Sequence, residues 1–315
     1  MIPSFSVVVL TTASGAGYGM LAWLGVLNAF GLLPAGRWFG VAATLVALTL
    51  SAAGMLASTF HLGHPERAWR ALSQWRSSWL SREAMLALFT NLPALAFAAA
   101  WWFVGSGSPV TVGLGLFAGA CGLATVASQA MIYATLRPIR QWCNRLVLPQ
   151  LLLLALFSGI ACLAAALAAA NGGAIRIVAA IAVVLAAAGW LMKRVYWRRI
   201  DAGAPVATME SATGLGHLGT VRALEAPHTE ENYLLREMGY AVARKYATRL
   251  RRVAVAAGFV VPALLLLAGL ILLAPADRVL LPLAALVALL GVYVERWLFF
   301  AEATHTVTLY YGRTG

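Results

Sequence analysis

The sequence predicts an all-α integral membrane protein, a bundle of eight transmembrane helices with both termini on the cytoplasmic side. Three observations carry that expectation. Of the 315 residues, 62% are apolar and only 11% charged, whereas a soluble domain carries about 25% charge to cover its surface. The apolar residues fall in repeated runs of about 20, the length that crosses a hydrocarbon core about 30 Å thick. Finally, Lys and Arg are confined almost wholly to alternate connections between those runs. Backbone amides in lipid must be satisfied internally, which makes the runs helices. Continuous apolar runs also exclude the alternating strands of a membrane barrel.

The first segment, MIPSFSVVVL, has no basic residues before its apolar run, so it reads as an uncleaved helix rather than a signal peptide. Helices are expected at about 5–30, 39–62, 83–104, 110–136, 147–170, 174–197, 252–274 and 279–302. Turn residues mark the breaks: Gly31 to Gly36 around Pro34, Gly63 to Pro65, Gly105 to Pro109, Asn171-Gly172-Gly173, and Pro275-Ala276-Asp277. Pro93, Pro262 and Pro282 fall in or near spans, where membrane helices tolerate kinks. Residues 1–315 thus form one membrane domain, with a cytoplasmic loop and amphipathic helix at about 198–251.

Direction follows from the positive-inside rule. The second connection carries Arg67, Arg70, Arg76 and Arg82, and the fourth carries Arg137, Arg140 and Arg145. The sixth, counted from 193 to 252, begins with Lys193 and Arg194 and brings that side to eighteen. The odd connections hold only Arg37, Arg176 and Arg278. Even connections and both termini are therefore assigned to the cytoplasm of a bacterial inner membrane. The net charge of +12 is then a topology signal and a lipid-facing surface, not a nucleic-acid footprint. Cys121, Cys143 and Cys162 are scattered and read as small membrane-helix residues, unable to hold an iron–sulfur cluster by themselves.

Ionisable residues are costly in a bilayer, so their positions are informative. They gather at the cytoplasmic ends of helices two, three and eight: His61, His64 and Glu66; Arg82 and Glu83; Glu295, Arg296, Glu302 and His305. The middles of the spans look almost free of them, unlike a transporter with polar groups on broken helices at the midplane. The pattern predicts a shallow site opening toward one face. In S-Q-W-R-S-S-W-L-S-R-E, Trp75 and Trp79 have helical spacing with Arg76 and Arg82 beside them. Together with Arg67 and Arg70 they read as an interface, either with lipid headgroups or with a partner subunit.

The segment H-L-G-H-P-E-R-A and the L-S-R-E that opens the next helix resemble the membrane anchor subunits of dimethyl sulfoxide reductases. The resemblance implies that His61 is the quinol-site histidine and Glu83 its acidic partner. Within that family, T-T-A-S-G-A-G-Y-G at 11–19, F-H-L-G-H-P-E-R-A-W-R-A at 60–71, E-A-P-H-T-E-E-N-Y at 225–233 and R-W-L-F-F-A-E-A-T-H at 296–305 are similar to the anchors of cytoplasm-facing sulfite:quinone oxidoreductases. It further implies that a ferredoxin-like iron–sulfur subunit and a molybdopterin catalytic subunit dock on the cytoplasmic face. The molybdopterin and the clusters reside in those partners, and this chain handles exchangeable ubiquinone or menaquinone. The inward charge bias departs from the exported dimethyl sulfoxide enzymes and favours sulfite oxidation.

Quinone exchange moves two electrons and two protons. Histidine titrates near neutral pH and can serve a quinone oxygen directly, so His61 is expected as the acid/base and Glu83 as the proton relay. The bland alternative is a capping histidine and a helix-start glutamate. Glu302 and His305 are candidates for the opposite wall of the quinone site. His61 and His305 could instead ligate a b-type haem, although the resembled anchors lack one; no metal site is expected. Within the sixth connection, S-A-T-G-L-G-H-L-G-T reads as a flexible connector with His217 exposed, since no strand precedes it to make a phosphate loop. Thr229 then reads as the N-cap of an amphipathic helix, with Leu234, Met238 and Ala241 on its apolar stripe and Arg244, Lys245 and Arg249 in its last turn. Two rival functions remain: a reductase anchor of the dimethyl sulfoxide type oxidising quinol, and a non-redox scaffold or small-solute transporter.

Overall fold

The computed structural model describes residues 2–60, 62–203, 205, 207–225, 242–272 and 275–311. Among these residues, eight helices are long and apolar enough to cross a membrane, and no strand is present. They are α1 (Phe5–Ala29), α2 (Arg37–Thr59), α3 (Trp79–Phe103), α4 (Pro109–Ala134), α5 (Val147–Ala169), α6 (Ile175–Ala202), α7 (Ala247–Leu272) and α8 (Asp277–Ala301). The chain is a multi-pass membrane protein. Connections two, four and six share one end of the bundle, called here the basic end.

Three helix ends differ from expectation, each for a local reason. Helix α3 starts at Trp79, where the Ser78 hydroxyl caps it by accepting from Ser81 N at 3.4 Å. Helix α6 continues to Ala202, and Lys193, counted with the loop charges, is buried within it. Its neighbour Arg194 stays on the lipid side, with its guanidinium 5.4 Å from the Trp190 ring. Helix α7 begins at Ala247, which places Arg249 in a span rather than in the last turn of an amphipathic helix. Arg244 and Lys245 belong to a short helix, Val242–Lys245. Thr229, Leu234, Met238 and Ala241 lie outside the described residues.

Helices α1 and α5 form the centre of the bundle. Gly19 meets the Ala155 carbonyl and Gly159 meets Gly19 and Met20 so closely that a β-carbon at either position would strike backbone. Around this crossing, α2, α3 and α4 pack on one side and α6, α7 and α8 on the other. Aromatic residues fill the basic end: Tyr133, Trp142, Tyr196, Phe299 and Phe300 are all buried. The connection 135–146 is folded over that end and not looped away. Trp142 Nε1 donates to the Phe299 carbonyl at 2.9 Å, and Gln141 Nε2 to Thr304 Oγ1 at 2.7 Å. At the other end, Asn171 takes a left-handed turn (φ 52°) and its side-chain oxygen accepts from Arg278 Nη2 at 2.6 Å. That bond ties the α5–α6 hairpin to the start of α8.

Two spans contain a π-helical turn, Leu10–Ser14 in α1 and Ala256–Val260 in α7. The second lies just before Pro262, which has no N–H for the carbonyl of Gly258, and the extra residue absorbs the mismatch. In the first, hydroxyls bond back to the chain: Thr11 Oγ1 donates to the Val7 carbonyl at 3.1 Å and Ser14 Oγ to the Leu10 carbonyl at 2.6 Å. The stretch expected as a connector forms local turns. A capping box between Thr208 and Ser211 starts the turn Met209–Thr213, and Gly214 ends it at φ 72°. Glu210 closes the loop by accepting from Val221 N at 3.1 Å. Its own backbone amide, then the Thr208 hydroxyl and the Val221 amide, hold this carboxylate below the usual range. His217 is exposed as expected.

Candidate functional site

Starting α3 at Trp79 moves Glu83 one turn into the helix. Its carboxylate is therefore enclosed, 2% exposed, and does not open at the membrane edge. The neighbours come from α1 and α4. Gln129 Nε2 donates to Glu83 Oε1 at 2.7 Å and reaches Ser14 Oγ at 3.4 Å. Tyr18 and Tyr133, one from each of these helices, are buried in the same cluster as Ala87, one turn further along α3. Ser14 is placed by the π turn and by two glycines. A β-carbon on Gly17 would strike the Ala47 carbonyl, and one on Gly54 would lie 2.6 Å from Ser14 N. The T-T-A-S-G-A-G-Y-G segment thus presses α1 onto α2 and points Ser14 at Gln129.

A buried carboxylate with an amide partner and two phenols nearby is costly in a membrane and is a candidate for proton chemistry. It can hold or release a proton within reach of a hydrogen-bonded chain that crosses three helices. His61 lies outside the described residues, so its position relative to Glu83 is not part of this geometry. On the same connection, His64 Nδ1 is 3.0 Å from Glu66 Oε1, and both side chains are exposed.

Glu302 and His305 follow α8 but do not join Glu83. Glu302 is 6% exposed and accepts from Arg251 Nε at 2.8 Å and Nη2 at 3.2 Å. The same guanidinium donates to Asp201 Oδ2 at 2.6 Å, so α6, α7 and the end of α8 are clamped together. His305 Nδ1 accepts from Val307 N at 3.0 Å, which commits one ring nitrogen to the turn that follows. Among the described residues, no group of His, Cys, Asp and Glu could hold a metal ion.

Pro65–Gln74 forms a 3-10 helix with no buried residue. Arg70 stacks over Trp69 at 5.6 Å and Arg76 over Trp75 at 5.2 Å, with both indoles exposed. Arg67 Nε lies 3.7 Å from Glu66. Arg82 has a different task. It donates to the Trp75 and Arg76 carbonyls at 2.9 and 2.7 Å and covers Trp79 at 4.2 Å, locking the turn that precedes α3.

A second polar cluster joins Glu295 and Arg296, singled out in the sequence, to Lys193 and Gln150, which sequence reading missed. Lys193 and Glu295 are 2.7 Å apart, with their side chains 1% and 0% exposed. Gln150 Nε2 donates to the same Glu295 oxygen at 3.0 Å, and Arg296, 2% exposed, approaches its other oxygen at 3.5 Å. The available signals were Gln129 and Gln150, polar residues inside otherwise apolar spans. Their partners, however, are 46 and 145 positions away in the chain.

The whole chain can be compared with known proteins. The family described as DMSO reductase anchor subunit (DmsC) matches residues 2–312. The chain is also 36% identical, over 99% of its own length and 99% of the relative's, to a sulfite dehydrogenase subunit of Allochromatium vinosum. The eight spans and the H-L-G…L-S-R-E hairpin therefore lie within a match that covers nearly every residue. The chain belongs to the family of dimethyl sulfoxide reductase anchor subunits, the membrane anchors of an oxidoreductase complex.

Proposed function

We propose that this anchor is the quinone-reactive subunit of a molybdopterin oxidoreductase that oxidises sulfite. Electrons would pass from a cytoplasmic iron–sulfur subunit to the quinone pool of a bacterial inner membrane. The observation that carries the reading is the enclosed Glu83, hydrogen-bonded by Gln129 and linked through it to Ser14. A passive anchor gains nothing from a carboxylate buried among helices, whereas quinone chemistry needs a proton carrier at that depth. The name of the relative, a sulfite dehydrogenase subunit, supports sulfite over dimethyl sulfoxide and quinone reduction over quinol oxidation.

In this reading the basic end faces the cytoplasm, as the excess of Lys and Arg in connections two, four and six supports. Both termini lie on that side. His61 binds a quinone oxygen and exchanges a proton with it, and Glu83 relays the proton through Gln129 and Ser14. The exposed pairs Trp69–Arg70 and Trp75–Arg76 lie on the same connection as His61, where the iron–sulfur partner would bring a cluster within electron-transfer reach.

The test is quinone-linked turnover of the assembled complex, with dye-linked activity of the catalytic subunit as the control. His61→Ala is expected to abolish the first and spare the second. Full quinone reduction by that variant would remove His61 from the site. If the wild-type complex binds no quinone analogue, while the chain carries a solute into liposomes, the transporter reading replaces this one.

A further inference from the structure

Five ionisable side chains run from the surface to the centre of the basic half along α6, α7 and α8. Asp201 is exposed and bonds Arg251 at 2.6 Å, and Arg251 bonds Glu302 at 2.8 Å. The Arg251 guanidinium lies 5.3 Å from the Trp197 ring, whose other neighbour is the Lys193 ammonium at 4.7 Å. Lys193 then bonds Glu295 at 2.7 Å. Lys193, Trp197 and Asp201 recur every four residues and so share one face of α6. Arg296 follows Glu295 on α8 and approaches its second carboxylate oxygen at 3.5 Å.

A static clamp would satisfy its polar atoms. Here Glu295 Oε2, Gln150 Oε1, and Arg296 Nε and Nη1 are buried without a hydrogen bond, as is Thr12 Oγ1 on the π turn of α1 that packs against α8. Such a concentration of unbonded groups is rare in protein interiors. Glu295 Oε2 and Arg296 Nε, 3.5 Å apart, thus keep acceptor and donor capacity beside the Lys193–Glu295 bond. The groups facing Glu295 are Gln150 from α5, Lys193 and Tyr196 from α6, and Arg296 beside it on α8.

We infer that this file of side chains is a proton path, separate from the hairpin that carries Glu83, joining solvent at Asp201 to Glu295 in the interior of the basic end. Its use rests on the quinone reading above. Reducing one quinone with two electrons from the iron–sulfur partner takes up two protons, and the path supplies them. Lys193 passes a proton to Glu295 and takes one back from Glu302, which is itself protonated from the solvent side at Asp201. Arg251 keeps its charge throughout and only positions the two carboxylates, so charge along the file is restored after each transfer.

The experiment uses the purified complex with Glu295→Gln, and with the double change Lys193→Met and Glu295→Leu, which removes both members of the Lys193–Glu295 pair and leaves Arg296 as the buried charge beside them. Both variants are expected to keep dye-linked activity and to lose about tenfold or more of quinone-linked turnover. A small membrane-permeant weak acid is expected to restore part of that loss. If the single variant fails to assemble, the double variant decides. A double variant with wild-type quinone turnover, or with a loss that no weak acid relieves, overturns the path. A second measurement needs no quinone: infrared spectra of the wild-type complex, titrated with pH, should contain a carboxyl signal that Glu295→Gln removes. Its absence overturns the path even where quinone turnover itself fails, and its presence in a complex that reduces no quinone would retain the path and reject the quinone reading.

Discussion

Gln129 on α4 donates to Glu83 on α3 at 2.7 Å, and this one bond joins the hairpin identified from sequence to the interior of the bundle. The amide is 2% exposed, as is the carboxylate. Glu83 is therefore held by a neutral partner, which leaves its charge able to change. Gln129→Leu removes the partner and is expected to cost about 1–3 kcal/mol, the penalty of an unsatisfied buried group. The checks are thermal unfolding in detergent and quinone-linked turnover, which should fall while dye-linked activity remains. An unchanged quinone rate would separate Gln129 from the relay.

Glu83→Gln keeps the shape and removes the titratable group. The expected result is slowed quinone turnover with an altered dependence on pH, read as rate against pH beside the wild-type complex. A pH profile identical to that of the wild type would exclude Glu83 as a proton carrier.

Lys193→Met by itself leaves the Glu295 carboxylate buried with the Gln150 amide and the more distant Arg296 guanidinium. Breaking a buried pair in this way is expected to cost about 3–5 kcal/mol. Adding Glu295→Leu should recover part of the loss, because the carboxylate leaves with its partner, while the buried Arg296 guanidinium then lacks its 3.5 Å neighbour. Unfolding midpoints of the two variants test the order. A double variant less stable than the single one would mean that packing, not charge, governs this site.

Arg251→Ala should loosen the end of α8. Most of the expected loss, about 1–3 kcal/mol, comes from Glu302, since Asp201 is exposed and its pair is screened. Limited proteolysis near 306–311 should be faster in the variant. An unchanged cleavage rate would show that the Gln141–Thr304 contact holds this segment without the clamp.

Trp69→Ala with Trp75→Ala removes two exposed indoles and should change stability by no more than about 0.5 kcal/mol. Co-purification of the iron–sulfur subunit is expected to fall. Full recovery of the partner would leave these residues to the lipid headgroups.

How far the sequence could be read depended on the kind of signal. Apolar runs are local, so the eight spans were legible, as was the break at Asn171-Gly172-Gly173. Ends were less so. Helix α3 begins at Trp79 because Ser78 caps it, and α6 runs to Ala202 because arginine stems can lie along the lipid surface. Lys193, counted as a loop charge, proved to be buried, since its partner Glu295 lies about 100 residues away and nothing local marks the pair.

By itself the sequence determined a helical membrane protein of eight spans, its bias of basic charge to one end, and the hairpin that carries Glu83. These follow from the cost of exposing backbone and charge to lipid, a property of each segment taken alone. The tertiary structure decided that Glu83 is enclosed, that Gln129 and Ser14 attend it, and that Glu302 belongs to Arg251. It also decided that Lys193, Glu295 and Arg296 meet inside the bundle. Those pairings depend on which helices touch and at what depth, and glycines such as Gly17, Gly19 and Gly159 set that through approaches visible only once the helices are packed.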